Sequence, residues 1–98
     1  MGKERKALVH PGEVLQKAFM EPRGLSQNRL AIALNVPPRR INEIVLRKRK
    51  ITPDTALRLA RYFNNEPRFW LKLQMGYDLE LAEKKAGEKI RKKVSSGS

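Results

Sequence analysis

Apolar residues in this 98-residue chain recur at the three- and four-residue spacing of α-helices, and no stretch shows the alternation of a β-strand. Each of the five periodic segments begins at a residue that favours helix starts, either a proline of the first turn or a capping serine or threonine: Pro11, Ser26, Pro37, Thr52 and Pro67. The pattern therefore predicts an all-α fold of five helices.

The same periodicity predicts which side chains face the core. The inward-facing set is Val14, Leu15, Ala18, Phe19, Leu30, Ala31, Leu34, Ile41, Ile44, Val45, Ala56, Leu57, Ala60, Phe63, Trp70, Leu73, Tyr77 and Leu81. Pro22 and Gly24 are expected to end the first helix. Asn35 is expected at the tight turn after the second helix, since asparagine tolerates the left-handed conformation that such a turn requires. Asn64 and Asn65 are expected as the break after the fourth helix.

Residues 26–46 have the proportions of a helix-turn-helix, with two short helices joined by a tight turn. The second helix of this motif, residues 37–46, is the third helix of the chain, and it has only a narrow apolar stripe made by Ile41, Ile44 and Val45. A helix that reads DNA must pack through such a stripe, because most of its circumference has to fit the major groove. The segment is therefore predicted to be a reading helix.

The free face of this helix carries side chains that suit DNA, because arginine pairs with guanine edges and asparagine with adenine edges. The predicted base-reading residues are Arg39, Arg40, Asn42 and Glu43. The predicted phosphate-binding residues are Ser26, Gln27, Arg47, Lys48, Arg49 and Lys50. For Glu43 a second interpretation stays open, an ion pair with Arg39 or Arg47 four residues away.

The charge distribution supports a polyanionic partner. The chain has 22 Lys and Arg against 10 Asp and Glu, a formal net charge of +12. Residues 37–50 and residues 84–93 each hold six basic groups and one acid, whereas residues 51–83 have a net charge of −1. DNA, RNA and an anionic membrane surface are the candidate partners, and RNA is disfavoured because no RNA-recognition signature is present.

Composition excludes several other classes of protein. The absence of cysteine excludes disulfides and thiolate metal sites, and a single histidine excludes a multi-histidine metal site. No acidic metal-binding cluster supports a nuclease, and His10 is better explained as a helix-start or packing residue than as a catalytic base. We expect no catalytic residue, metal or cofactor, no membrane span or signal peptide, and a cytoplasmic protein.

The fifth helix carries apolar residues on two faces, and only one of them can serve the intramolecular core. A second copy of the chain is the simplest cover for the other. The predicted dimer interface is Phe69, Trp70, Leu71, Leu73, Gln74, Tyr77 and Leu79. For Trp70 the alternative of a stacking platform for single-stranded bases is less favoured.

Three regions are predicted along the chain. Residues 1–8 form a flexible arm, residues 9–84 form the helical domain, and residues 85–98 form a basic, disordered tail. Nonspecific DNA contact by that tail is the alternative interpretation.

Several stretches in this order resemble the HigA/VapI branch of the Xre-type helix-turn-helix family, the antitoxins of addiction modules. The resemblance covers roughly residues 9–83. The matching stretches within it are residues 10–13 (HPGE), 25–27 (LSQ), 30–31 (LA), 35–42 (NVPPRRIN), 51–59 (ITPDTALRL), 69–74 (FWLKLQ) and 77–79 (YDL). Family members usually have a glycine at the end of the reading helix, where this chain has Leu46 and Arg47.

The resemblance implies a lambda-repressor-like five-helix domain that forms a homodimer and binds a palindrome in its own promoter. Carried over by position, the DNA contacts are Gln27, Arg39, Arg40 and Asn42. It also implies a toxin partner, a RelE-like messenger-RNA endonuclease of the HigB type. The alternative is an orphan Xre-type regulator with no toxin.

Overall fold

The computed structural model describes residues 8–97, and in that range it contains five α-helices and no β-strand. The helices are α1 (Pro11–Val14), α2 (Gln27–Leu34), α3 (Pro38–Val45), α4 (Pro53–Phe63) and α5 (Pro67–Lys93). A π-helical segment (Leu15–Met20) and a 3₁₀ turn (Glu21–Arg23) connect α1 to α2. The predicted all-α, five-helix fold is confirmed; the expected arm lies outside the described residues apart from Leu8.

The helix boundaries follow the local signals in the sequence. Ser26 Oγ accepts a hydrogen bond from the Arg29 N–H at 3.1 Å and so caps α2. Asn35 and Asn64, both at φ 59°, end α2 and α4 in the left-handed conformation. The left-handed turn at Asn35 and the break after α4 are thus confirmed.

The first helical segment differs from the regular α-helix that the pattern predicts. Leu15 and Met20, five residues apart, are both buried, whereas Ala18, predicted to face the core, is exposed. A π-helical turn accommodates this spacing, since five residues of a regular α-helix would turn the two side chains to different faces. Pro22 lies within the 3₁₀ turn, and Gly24, at φ 59°, ends the segment.

The core surrounds the indole of Trp70, which is fully buried. Its ring contacts the rings of Phe19 and Phe63 at centroid distances of 4.7 and 6.1 Å, and its Nε1 donates a hydrogen bond to Asn65 Oδ1 at 3.0 Å. The indole is therefore a packing residue with a satisfied donor, as the more favoured interpretation of its spacing held.

One inward-facing assignment in α4 is wrong. Leu57 is 61% exposed, whereas Thr55, Ala56, Leu59 and Ala60 are buried. The buried face is centred between Ala56 and Leu59, and Leu57 projects about 100° from the first and about 160° from the second around the helix. Hydrophobicity could not separate the two leucines, and the packing of α4 against α5 decides between them.

Helix α5 is longer than predicted, because residues 85–93, expected to be disordered, continue it to Lys93. Lysine, glutamate, alanine and arginine are strong helix formers, and Arg91, Lys92 and Lys93 lie in the last turn, where cations interact favourably with the helix dipole. Glu83 and Arg91 form an ion pair on the helix surface at 2.6 Å. The basic C-terminal segment is thus a helical arm over residues 85–93.

Helix α3 lies on the outside of the bundle, where α1 and α2 support one of its faces. Helices α4 and α5 pack together behind this layer, and α5 also contacts α1. Within residues 8–97 no helix combines the length and the apolar character needed to cross a membrane.

Candidate nucleic-acid interface

A tight turn joins α2 to α3 and fixes the angle between them. The Val36 N–H donates to the Ala31 carbonyl at 3.0 Å, while Asn35 takes the left-handed conformation. The Arg58 guanidinium of α4 donates to the carbonyls of Leu34 and Asn35 at 2.8 and 3.2 Å, which satisfies the end of α2. Arg58 was not singled out from the sequence, and only its contact across 23 and 24 residues reveals its role.

Helix α3 is held by the narrow stripe that the sequence predicts. Ile41 and Ile44 are fully buried, and Val45 is half-buried against the core. The remaining circumference is polar, with Arg39 and Asn42 exposed. Such a helix presents most of its surface to a binding partner.

Asn42 is held by a hydrogen bond that it donates to the neighbouring helix, α2. Its Nδ2 donates to Gln27 Oε1 at 3.0 Å, across the two helices of the motif. The pair leaves the Asn42 Oδ1 and its second N–H for another partner, which is the donor–acceptor combination that recognises adenine. The structure therefore brings together two predicted DNA contacts from separate helices.

Glu43 is the ion-pair partner of two arginines. Its carboxylate accepts hydrogen bonds from Arg39 Nε at 2.8 Å and from Arg49 Nε at 2.9 Å, and these bonds lower the pKa of the Glu43 carboxyl. Arg39 is the partner that the alternative interpretation named, whereas Arg47 pairs elsewhere. Because the Arg39 side chain is 81% exposed, this pair is weak and can exchange for a contact with DNA.

Arg40 is directed toward α4. Its Nη1 donates to Asp54 Oδ2 at 2.7 Å, and Arg58 Nε donates to the same oxygen at 2.9 Å. The Arg58 and Arg40 hydrogen bonds lower the pKa of the Asp54 carboxyl. In the free protein Arg40 therefore braces α3 against α4, and its predicted base contact would require this pair to open.

The HPGE stretch holds the far end of α3. His10 Nδ1 accepts the Gly12 N–H at 2.9 Å, which caps α1, and its ring packs edge-on against Tyr77 at 4.8 Å. Burial lowers the pKa of the His10 imidazole, so the neutral ring that can accept this bond is favoured. The backbone of Gly12 lies against the Ile44 carbonyl, and Glu13 pairs with Arg47 at 2.9 Å. The expected helix-start role of His10 is confirmed.

A basic turn follows α3, with an unusual backbone at Arg47. The Lys48 N–H donates to the Glu43 carbonyl at 2.8 Å, and Arg47 takes φ 66° between them. This is the left-handed position that glycine favours after a helix, so this chain forms the turn with an arginine in place of a glycine. Beyond it, Lys50 pairs with Asp78 at 3.3 Å.

Glycine at position 47 should stabilise the turn compared with alanine. Both Arg47→Gly and Arg47→Ala remove the ion pair with Glu13, but only glycine relieves the left-handed strain, which amounts to about 1 kcal/mol. We therefore expect Arg47→Gly to unfold in urea at a higher midpoint than Arg47→Ala. Equal midpoints for the two variants would contradict the assigned backbone conformation.

Only some residues of the predicted dimer interface are accessible on the surface of the monomer. Trp70 and Gln74 cannot contact a partner, because both are buried within the monomer; Gln74 Oε1 accepts the Ile51 N–H at 2.8 Å. Leu71, Leu73 and Tyr77 are half-buried, and Phe69 and Leu79 are exposed. Met75 and Ile90, outside the predicted set, are exposed on the same side of α5 as Leu79.

Comparisons with known proteins agree with this geometry. The family model described as helix-turn-helix matches residues 16–71. Virulence-associated protein I of Dichelobacter nodosus is 52% identical over 82 residues, which cover 84% of this chain and 76% of that protein. A HigA-family addiction module antidote from Coxiella burnetii superimposes with a TM-score of 0.89 at 44% identity, covering 93% of this chain and 99% of that one. The Pseudomonas aeruginosa antitoxin HigA, solved with the higBA promoter, gives a TM-score of 0.91 at 36% identity and coverages of 94% and 100%.

Proposed function

Because this chain belongs to the helix-turn-helix family, in its HigA/VapI branch, we propose that it is a transcriptional repressor that binds a palindromic operator in double-stranded DNA. It also serves as the antitoxin of a two-gene module, whose toxin is a RelE/HigB-like ribonuclease. Neither of these two roles requires a catalytic residue in this chain.

The observation that carries DNA binding is the exposed polar face of α3 on its narrow buried stripe. Arg39 and Asn42 project from this face, and Gln27 holds Asn42 from α2. The basic turn, with Lys48, follows at the end of the helix, where phosphates flank the major groove. The similar antitoxin HigA of Pseudomonas aeruginosa was solved with promoter DNA, which supports duplex DNA as the partner of this face.

In-vitro selection from a random duplex library, followed by footprinting on the selected sequence, tests the proposal. We expect a palindrome whose half-sites lie about one helical turn apart. Arg39→Ala should relax the preference at one base position of each half-site. Lys48→Ala should instead weaken all sequences alike and lower the salt slope by about 0.9 per subunit. A chain that enriches no sequence would contradict the proposal.

The dimer that a palindrome requires uses the outward face of α5. Met75 and Leu79 are 55% and 63% exposed, and Ile90 is 52% exposed. They recur at intervals of four and eleven residues, which places them on one side of the helix, away from Trp70 and Gln74. A second copy of α5 would cover this apolar stripe.

A charge in this stripe should separate the subunits. Leu79→Glu removes apolar contact area and places a carboxylate opposite its own copy, so we expect a monomer at micromolar concentration. Light scattering after size exclusion measures the mass, and Leu57→Glu, on an exposed leucine of α4, is the matched control. If both variants keep the wild-type mass, the interface lies elsewhere.

Co-purification with the product of the adjacent gene tests the antitoxin role. We expect a stable complex and relief of growth inhibition when this chain is co-expressed with its neighbour. An orphan regulator would bind its operator equally well and form no such complex.

A further inference from the structure

A cleft lies between the basic turn and α5, beside the end of the reading helix. Its volume is about 490 Å³. One wall is the basic turn of residues 47–50, and the other is formed by α5, including Tyr77, Leu81 and Lys85. The cleft therefore joins the predicted phosphate-binding turn to the fifth helix, for whose basic end nonspecific DNA contact was only the alternative to disorder.

Most of the cations around this cleft already have a carboxylate partner, but two do not. Arg47, Arg49 and Lys50 pair with Glu13, Glu43 and Asp78, respectively. Within residues 8–97, neither Lys48 nor Lys85 forms an ion pair. Two uncompensated ammonium groups on opposite walls of one cleft favour an anion between them.

The basic character of the cleft continues along α5. Lys89 and Lys92 follow Lys85 at intervals of four and three residues, so the three lysines share the face of α5 that lines the cleft. Beyond Leu81 the side chains of α5 are exposed or at most half-buried, apart from Gly87, which the Glu83 side chain covers. This run of lysines has no apolar contact to explain it.

The face is also free of the proposed dimer contacts. Met75, Leu79 and Ile90 lie about 80°, 120° and 140° around α5 from Lys85, and Ile90 lies about 100° from its sequence neighbour Lys89. A second copy of α5 on that stripe would leave the lysine face accessible. The lysine face belongs to the same continuous helix that packs on the core through Trp70.

We propose that this cleft and the face formed by Lys85, Lys89 and Lys92 bind backbone phosphates of duplex DNA outside the bases that α3 reads. The inference rests on the proposed function and extends it, because it assigns a second DNA-binding surface to α5. The ligand chemistry is a row of phosphates, since the lysines are point charges along a helix edge with no convergent groups for a base. The contact lengthens the bound site and is independent of sequence.

The test compares two duplexes, both carrying the palindrome obtained by selection. One is trimmed to the bases that the selection fixes, and the other adds about 10 base pairs, roughly one helical turn, at each end. The triple variant Lys85→Gln, Lys89→Gln, Lys92→Gln keeps the helix-forming character of these positions. The matched control, Lys17→Gln, Arg61→Gln, Lys84→Gln, removes the same charge from exposed sites that do not line the cleft.

We expect the wild-type chain to bind the longer duplex at least about tenfold more tightly than the trimmed one, with a steeper salt dependence. The triple variant should lose that advantage and still bind the trimmed duplex within about twofold of wild type, while the control keeps the advantage. Equal affinity of the wild-type chain for the two duplexes, or equal losses in both triple variants, overturns this inference and leaves the repressor proposal standing. A wild-type chain that binds neither duplex overturns the repressor proposal itself.

Discussion

Replacement of Gly12 by alanine should lower the free energy of unfolding by about 3 kcal/mol or more. A Cβ atom at this position would lie 1.9 Å from the Ile44 carbonyl oxygen and 2.8 Å from its carbon. Both are backbone atoms of α3, so no side-chain rotation can relieve the clash. The first helix would have to move away from the end of the reading helix.

The displacement should also be visible in DNA binding. Moving α1 would disturb the His10 cap at its start. It would also break the Glu13–Arg47 ion pair, which links α1 to the basic turn. We expect Gly12→Ala to show a lower urea midpoint and weaker operator binding even at temperatures where it remains folded. Urea unfolding followed by circular dichroism measures the first effect.

Gly76→Ala is the matched control, because it is the same chemical change at a helical glycine with open space around it. Among the described residues, 8–97, no atom outside its own helix and sequence neighbours lies within 4 Å of the Cβ position. Alanine is favoured over glycine in a helix interior, so this variant should gain about 1 kcal/mol. Similar stability changes in the two variants would contradict the close approach assigned to Gly12.

Gly12 illustrates what the sequence could not supply. The HPGE stretch predicts a helix start, because histidine precedes a proline suited to the first helical position, and the structure agrees. The need for glycine arises only from the carbonyl of Ile44, which is 32 residues away in the chain. No local pattern contains that contact, so the glycine was indistinguishable from one that is merely tolerated.

The reading helix was the most predictable part, because its signals are local. A stripe of three apolar residues and a pair of prolines at the helix start fixed both its position and its exposed face. The ion-pair partners were less predictable, since Asp54 and Glu13 come from other helices. Side chains that contact across elements depend on packing angles, which periodicity does not encode.

The end of the fifth helix was predicted to be disordered, whereas the structure shows it as helix. Composition alone suggested a disordered tail, since like charges repel and no apolar face was evident. Helix propensity and continuity with a segment already anchored by Trp70 extend the helix to Lys93. Order in this region is therefore inherited from the packed half of the helix rather than produced by the tail itself.

Asn42→Ala should reduce the affinity for the selected operator by about 1–3 kcal/mol, roughly 5- to 150-fold, because the bidentate pair that we predict with adenine would be lost. The effect should depend on sequence, so affinity for a mixed-sequence duplex should change little. Fluorescence anisotropy with the two duplexes measures both values. Asn28→Ala, on the exposed surface of α2, is the control for loss of an asparagine side chain.

The hydrogen bond between Gln27 and Asn42 allows a test of whether Gln27 positions the Asn42 amide. Gln27 Oε1 accepts from Asn42 Nδ2 at 3.0 Å, so part of the effect of Gln27→Ala should arise from a misoriented Asn42. Without Asn42 there is no amide for Gln27 to orient. The double variant should therefore lose less binding free energy than the sum of the losses in the two single variants. If the free energies add instead, Gln27 contacts DNA independently, and the hydrogen bond between the two helices does not position the base-reading amide.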